Sequence, residues 1–220
     1  MCDEVLTALF SGQDVRRIEP AVFGRLAAFF CARMEELLPT AARMHPLGFV
    51  YALEKPQEGI GLRYHLWPAS YAASDTEAAA DIHDHSYELN SLVVGGELLH
   101  ETFVVEERPD GPLDVLEVDY VDGASQLRRT GRRGALRQDS EARHASGTAY
   151  RLNPGHIHRV RTFGGFCATL VATRLNGGGQ TPRVLLPVGA KVPTPNGRPR
   201  LTSRELHDAR SALAEIAPIS

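Results

Sequence analysis

The sequence lacks the features that mark a membrane protein, a nucleic-acid-binding protein or a disulfide-stabilised protein. No apolar run approaches the ~20 residues that span a bilayer, and the first ten residues carry acids where a secretory signal carries positive charge. The three cysteines, Cys2, Cys31 and Cys167, lie far apart and form no CxxC pair, which fits a reducing cytoplasm. The net charge of −3 implies no general attraction to nucleic acid or to anionic membranes. We therefore expect a cytoplasmic protein that acts on a small molecule.

What is present is an ordinary globular composition arranged in three zones. The 220 residues are 43% hydrophobic and 23% charged, which suits one domain with a sizeable core. Residues 1–47 show apolar residues at helical spacing, and residues 191–220 contain a second helical pattern that begins at a capping box of Thr202 and Glu205. Residues 48–190 are predicted as strands. We expect one compact domain with helices packed on a barrel.

The strand zone consists of short runs rich in β-branched and aromatic residues, separated by Gly, Pro, Asp or Asn. No amphipathic helix lies between these runs, so an antiparallel arrangement is favoured over a parallel α/β sheet. The Arg-rich stretch 123–147 is predicted as a long hairpin or a mobile loop with a solvated basic face. The predicted fold class is an all-β barrel or jelly roll with N-terminal helices and a C-terminal helix.

The first candidate metal-binding segment contains His83 and His85, followed by Glu88. Side chains alternate across a strand, so His83 and His85 point to the same side. Two imidazoles on one inward face of a barrel can share a metal ion. Glu88 is either a further ligand or a neighbour that orients a histidine or acts as a base on bound water.

The second candidate segment is a strand, a Pro-Gly turn and another strand, with His156 and His158 after the turn. A barrel can bring this segment against the first by a non-local pairing. His156 and His158 share one face of the second strand. Three neutral imidazoles leave open coordination positions, which is the pattern of a catalytic rather than a structural metal site.

These two segments resemble the motifs of the cupin superfamily. Its first motif is His-x-His, then Glu, then Gly after six residues, and His83, His85, Glu88 and Gly95 match it. Only two residues separate His85 from Glu88, where the family usually has three or four.

The second cupin motif is Gly-x5-Pro-x-Gly-x2-His. Gly147, Gly155 and His158 fit it, while Asn153 holds the proline position and Pro154 follows. The resemblance implies a cupin barrel with one divalent metal. It also makes His158 the preferred third ligand, with His156 the second candidate or a pocket residue.

A narrower resemblance is to the thiol dioxygenases, typified by cysteine dioxygenase. That family has an Ile-His-Asp-His segment, matched by residues 82–85, and a Tyr eight residues before His-Arg-Val, matched by Tyr150 and residues 158–160. The resemblance implies ferrous iron on three histidines. The family's Ser-x-His-x-Tyr array is absent from residues 167–173, and its substrate-binding arginine is absent from residues 48–52. The scaffold and the iron site are therefore expected, but cysteine as a substrate is not.

Two further residues are candidates for the catalytic site. By alternation Arg63, His65 and Trp67 share one face of a strand; pointing inward, Arg63 would bind a substrate carboxylate, and pointing outward it would be solvated. Tyr150 and Arg151 face opposite sides of their strand, so only one of them lines the barrel.

Three functions remain open from the sequence. The first is a non-haem Fe(II) oxygenase or dioxygenase acting on a small polar substrate. The second is a non-redox isomerase, lyase or hydrolase with zinc, manganese or nickel, in which Glu88 or His156 moves a proton. The third is a non-catalytic cupin that binds a small ligand. A homodimer formed through sheet edges is also expected.

Overall fold

The computed structural model describes residues 2–11, 15–71, 81–121, 124–175, 180–192 and 198–216. In these ranges the chain forms three α-helices, a short 3₁₀ turn at Ala69–Tyr71 and ten strands. The helices are α1 (Cys2–Phe10), α2 (Pro20–Leu37) and α3 (Ser203–Ala214). The strands are β1 (Val15–Arg17), β2 (Arg43–Met44), β3 (Val50–Gln57), β4 (Ile60–Trp67), β5 (Tyr87–Glu107), β6 (Leu113–Val121), β7 (Ala124–Ala145), β8 (Thr148–Leu152), β9 (Ile157–Leu175) and β10 (Arg183–Pro187).

The strands pair antiparallel in one sheet that turns back on itself. Its order is β10-β6-β7-β5-β9-β4-β3-β2, with β8 also on β5 and β1 on β8. The long strand β5 pairs with β8 in its first half and with β7 in its second half, while β9 runs beside both halves. One layer contains β8, β4, β3 and β2, and the other contains β7, β6 and β10. Because β5 and β9 run through both layers, they join them into a barrel. The predicted jelly-roll β-barrel with flanking helices is confirmed.

A glycine pair bends β5 where the two layers meet. The pairing of β5 with β9 shifts register on both sides of Gly96, whose φ is +70°. A Cβ on Gly96 would lie 2.0 Å from the carbonyl oxygen of Phe166, so only glycine fits there. The bend separates residues 89–94 from residues 101–107, two β-rich runs that were predicted as separate strands and that both lie in β5.

The helices cover one outer face of the barrel. Phe30 of α2 is fully buried and its ring centroid lies 5.8 Å from that of Tyr64 on β4. Since side chains alternate on β4, the neighbours of Tyr64 point to the barrel interior. The predicted capping box of Thr202 and Glu205 is present at the start of α3. No helix in the described ranges is long and apolar enough to cross a membrane.

The Arg-rich stretch, predicted as a long hairpin or a mobile loop, forms the regular strand β7, so the mobile-loop alternative was wrong and the hairpin alternative agrees with its antiparallel pairing to β6. β7 pairs with β5 on one side and with β6 on the other. Its arginines meet acidic side chains on those strands: Arg132 bonds Glu107 of β5 and Glu117 of β6, each at 3.0 Å. The basic run is therefore half of a cross-strand ladder of ion pairs, and sequence reasoning saw only one half of it.

Candidate metal centre

Backbone hydrogen bonds place two histidines from distant parts of the chain side by side. The amide of His83 donates to the carbonyl of His158 at 3.1 Å, and the amide of His158 donates back at 2.8 Å. Residues paired in this way extend their side chains to the same face. His85 lies two residues further on, and its carbonyl accepts from the amide of Gly155 at 2.9 Å. The two predicted segments thus meet through the Pro-Gly turn.

The three imidazoles converge at a spacing that suits one metal ion. The Nε2 atoms of His85 and His158 are 3.2 Å apart, and one ligand nitrogen from each of His83, His85 and His158 lies within 4.8 Å of the others. Two nitrogens bound to one metal at about 2.1 Å are roughly 3.0–3.4 Å apart. The His85–His158 pair has this spacing, and the 4.8 Å limit for the whole set means that the rings need only draw slightly closer to form a mononuclear site with three nitrogen donors.

The tautomer and the charge of these histidines also suit metal binding. Nδ1 of His83 lies 2.9 Å from the carbonyl oxygen of Asp81. A carbonyl only accepts, so Nδ1 carries the proton and Nε2 keeps its lone pair. Burial lowers the pKa of His83, and it lowers the pKa of His85 and of His158 well below the usual value. All three imidazoles are therefore neutral at pH 7, the form that binds a metal.

A buried ion pair fixes the opposite face of the first segment. Asp84 is 3% exposed, and its carboxylate accepts from the backbone amide of Arg183 and from its Nε, the latter at 2.7 Å. Nη2 of Arg183 donates to the carbonyl of Gly155 at 3.0 Å. Arg183 thereby ties β10, the first segment and the Pro-Gly turn together, and so holds His85 against His158.

Glu88 and His156 lie apart from the three imidazoles. The Glu88 carboxylate accepts from Nδ2 of Asn90 at 2.9 Å and from Nη2 of Arg151 at 3.1 Å. Its neighbour Tyr87 stacks on His85 with ring centroids 4.8 Å apart, so alternation directs Glu88 to the other face of β5. His156 is exposed in the turn before β9. Within the described ranges, neither joins the group of converging ligand atoms.

Arg63 faces the barrel interior next to this group. Its guanidinium carbon lies 4.7 Å from the ring centroid of Tyr87 and 5.8 Å from that of Tyr51. Its Nε is buried and has no hydrogen-bond partner among the described residues. His65, on the same face of β4, lies between Phe49 and Tyr51, with ring centroids at 4.9 and 5.8 Å. Tyr87 therefore contacts both the Arg63 guanidinium and the His85 ring.

Tyr150 lines the interior, and Arg151 faces away toward Glu88. Tyr150 is 5% exposed, and its ring stacks on those of His100 and His144, with centroid distances of 4.6 and 4.5 Å. Burial raises the pKa of Tyr150 to about 12. His100 in turn contacts His158, with Nε2 of His100 3.2 Å from Nδ1 of His158.

Sequence reasoning assigned no role to His100, His144 or Asp84. The alternation along β5 puts His100 on the same face as Leu98 and Thr102. This pattern could have predicted from the sequence that His100 points into the barrel. Only the pairing of Thr102 with His158 reveals which ligand lies next to it.

Comparison with known proteins gives similarity of fold only. No family model matches the sequence, and no curated protein matches it. Solved structures that resemble the chain include the DMSP lyase DddQ from Ruegeria pomeroyi DSS-3, with 14% identity, a TM-score of 0.43 and coverage of 78% of this chain and 80% of that one. Oxalate decarboxylase from Bacillus subtilis has 10% identity and a TM-score of 0.37, with 62% of this chain covered.

The chain spans only 28% of that oxalate decarboxylase. Protein NMB1881 from Neisseria meningitidis has 10% identity and a TM-score of 0.34, with 64% of this chain and 95% of that one covered. These likenesses are weak, so the case for a function rests on the geometry of the site.

Proposed function

We propose that the protein is a metal-dependent enzyme, a mononuclear non-haem Fe(II) oxygenase that acts on a small polar substrate bearing an anionic group. The observation that carries the proposal is the convergence of three buried, neutral imidazoles from His83, His85 and His158. Bound to them, ferrous iron would supply redox chemistry with dioxygen and open coordination positions for the substrate.

The protein's own residues supply orientation and exclusion of water. Arg63 is placed to hold the anionic group of a substrate, since its buried Nε has no hydrogen-bond partner among the described residues and Tyr87 contacts both Arg63 and His85. The interior around Tyr150 is lined by apolar side chains: Leu89, Val93, Leu98 and Val171. An apolar lining keeps water away from reactive species formed inside the barrel.

The placement of the polar residues favours an oxygenase over a proton-transfer enzyme. A non-redox isomerase, lyase or hydrolase needs a base or an acid beside the metal. The sequence offered Glu88 and His156 for that role. Glu88 is engaged by Arg151 and Asn90 on the other face of β5, and His156 is exposed in a turn.

A non-redox metal enzyme remains the second candidate because of the donor set. Three neutral imidazoles suit zinc as well as iron, and zinc, manganese or nickel would then polarise a carbonyl or activate water. The two candidates differ in the metal that they retain and in their need for oxygen.

The test is anaerobic purification with elemental analysis, reconstitution with ferrous iron, and nitric oxide binding followed by paramagnetic resonance. We expect one iron per chain and the strong signal of ferrous iron with nitric oxide, which requires an open coordination position. Oxygen uptake with small anionic amino-acid and thiol compounds is then screened, and Arg63→Met is expected to weaken substrate binding while iron content is unchanged. One tightly held zinc that iron does not replace would contradict the oxygenase and favour the second candidate.

A further inference from the structure

Both ring nitrogens of His158 are engaged, and they face different partners. Its Nε2 points to the converging ligand atoms, 3.2 Å from Nε2 of His85. Its Nδ1 lies 3.2 Å from Nε2 of His100. A neutral imidazole carries one proton, so a lone pair on Nε2 for the metal requires the proton on Nδ1. Nδ1 of His158 then donates to Nε2 of His100, and His100 must hold its own proton on Nδ1.

The ring of His100 is held in place by a cluster of three rings. His100 on β5, Tyr150 on β8 and His144 on β7 are 6%, 5% and 2% exposed. The Tyr150 ring is nearly parallel to that of His144 at 14° and tilted by 30° to that of His100, and the ring centroids of His100 and His144 lie 6.0 Å apart. Three different strands supply the rings, so the barrel itself sets the direction in which Nε2 of His100 points.

The partner of His158 differs in kind from the usual partner of a metal-binding histidine. Such a histidine commonly donates its second N–H to a carboxylate, a backbone carbonyl or water, and His83 follows that pattern with the carbonyl of Asp81. An imidazole accepts one hydrogen bond and brings no negative charge. It therefore fixes the tautomer of His158 without adding charge to the ligand.

We propose that His100 is a positioning residue that fixes the tautomer and ring orientation of His158, and that Tyr150 and His144 hold His100 for this purpose. The proposal rests on the metal site proposed above. Removing a hydrogen-bond partner of a metal ligand typically lowers metal affinity by about 10–100-fold. The acceptor, rather than the bulk of the ring, is what His158 needs from His100.

Matched substitutions separate the acceptor from the packing. His100→Phe keeps a ring on Tyr150 and removes the acceptor, whereas His144→Phe makes the same change at the neighbouring ring of the cluster. His100→Gln carries a carbonyl oxygen at about the reach of Nε2, and His100→Asn carries one that falls short. The affinity of each variant for cobalt(II) is measured by competition with a chromophoric chelator, and thermal unfolding of the metal-free proteins reports on packing. In the zinc-loaded protein, long-range ¹H–¹⁵N correlation reads the tautomers.

We expect His100→Phe to lose about 10–100-fold in cobalt affinity, His100→Gln to recover most of the loss, and His144→Phe to bind like the unchanged protein. The tautomer spectrum should show the proton of His158 on Nδ1 and the proton of His100 on Nδ1. Unchanged affinity in His100→Phe, or affinity in His100→Gln as low as in His100→Phe, would overturn the role of His100. If His100→Phe fails to fold, equal affinities of the Gln and Asn variants would overturn it. Failure of the unchanged protein to bind cobalt would instead reject the metal site itself.

Discussion

The strands that carry the histidines bury different polar groups on their two faces: neutral imidazoles on the inward face and charged carboxylates paired with arginine on the outward face. On the inward face His83, His85 and His158 lie against one another, and burial keeps them neutral. On the outward face Asp84 and Glu101 are each 3% exposed, and each is paired with arginine. Alternate residues of one backbone thus face two different environments.

The contrast separates the task of holding the backbone from the task of chemistry. The outward carboxylates pair with arginines on neighbouring segments. Glu101 accepts hydrogen bonds from Nε and Nη2 of Arg159 at 2.8 and 3.0 Å. These pairs fix the strands that bear the imidazoles. The inward nitrogens keep lone pairs for a cation because burial keeps the imidazoles neutral.

The largest effect is expected from breaking the inward face. Single changes of His83, His85 and His158 to Ala should each abolish stoichiometric metal binding, since two imidazoles do not complete the site. His156→Ala is the matched control, because His156 is an exposed histidine two residues from His158 and should leave the metal content unchanged. Elemental analysis after dialysis measures the outcome. Full metal in His158→Ala together with loss in His156→Ala would reverse the assignment within the second segment.

A smaller effect is expected from breaking the outward face. Asp84→Ala leaves the Arg183 guanidinium, whose side chain is 27% exposed, without its carboxylate. Breaking a buried pair in this way costs about 3 kcal/mol in free energy of unfolding, and metal affinity should fall with the loosened turn.

Glu106→Ala is the control for the outward face, because the pair of Glu106 with Arg137 is more than half exposed on both sides and should cost less than about 1 kcal/mol. Urea unfolding of the metal-free proteins compares the two variants. Equal losses in the free energy of unfolding would show that the Asp84–Arg183 pair contributes no more than a surface pair.

Much of the fold follows from local pattern, because strands, turns and caps are decided by neighbours in sequence. The β-rich runs and the capping box at Thr202 were predicted in this way. For the β7 stretch the sequence left a long hairpin and a mobile loop open, because its Arg-rich run looks unstable alone. Its acidic partners lie on β6 and β5, and pairing with them makes it a strand.

The candidate site likewise has a part that follows from local sequence pattern and a part that depends on distant residues. His83 and His85 share a face by alternation, which the sequence shows directly. Their meeting with His158 was predicted from the resemblance of the two segments to the two cupin motifs. The partners of the site are non-local: Asp84 and Arg183 are 99 residues apart, and His100 and His158 are 58 apart. No local periodicity identifies such pairs, because register between distant strands decides them.

The smallest expected effect comes from a buried imidazole outside the group of ligands. Burial lowers the pKa of His65 to about 3, whereas the unfolded chain titrates near 6.5. Between these values the unfolded state binds a proton that the folded state does not, so stability is present above pH 6.5 and is lost as the pH falls. The slope amounts to at most about 1.4 kcal/mol per pH unit for one group. His65→Phe, in a setting of aromatic rings, should flatten the stability profile between pH 6 and 4 by about that amount and leave it unchanged at pH 8. Urea unfolding of the metal-free protein across this range measures the slope. A profile as steep as that of the unchanged protein would show that burial does not lower the pKa of His65 in the folded state.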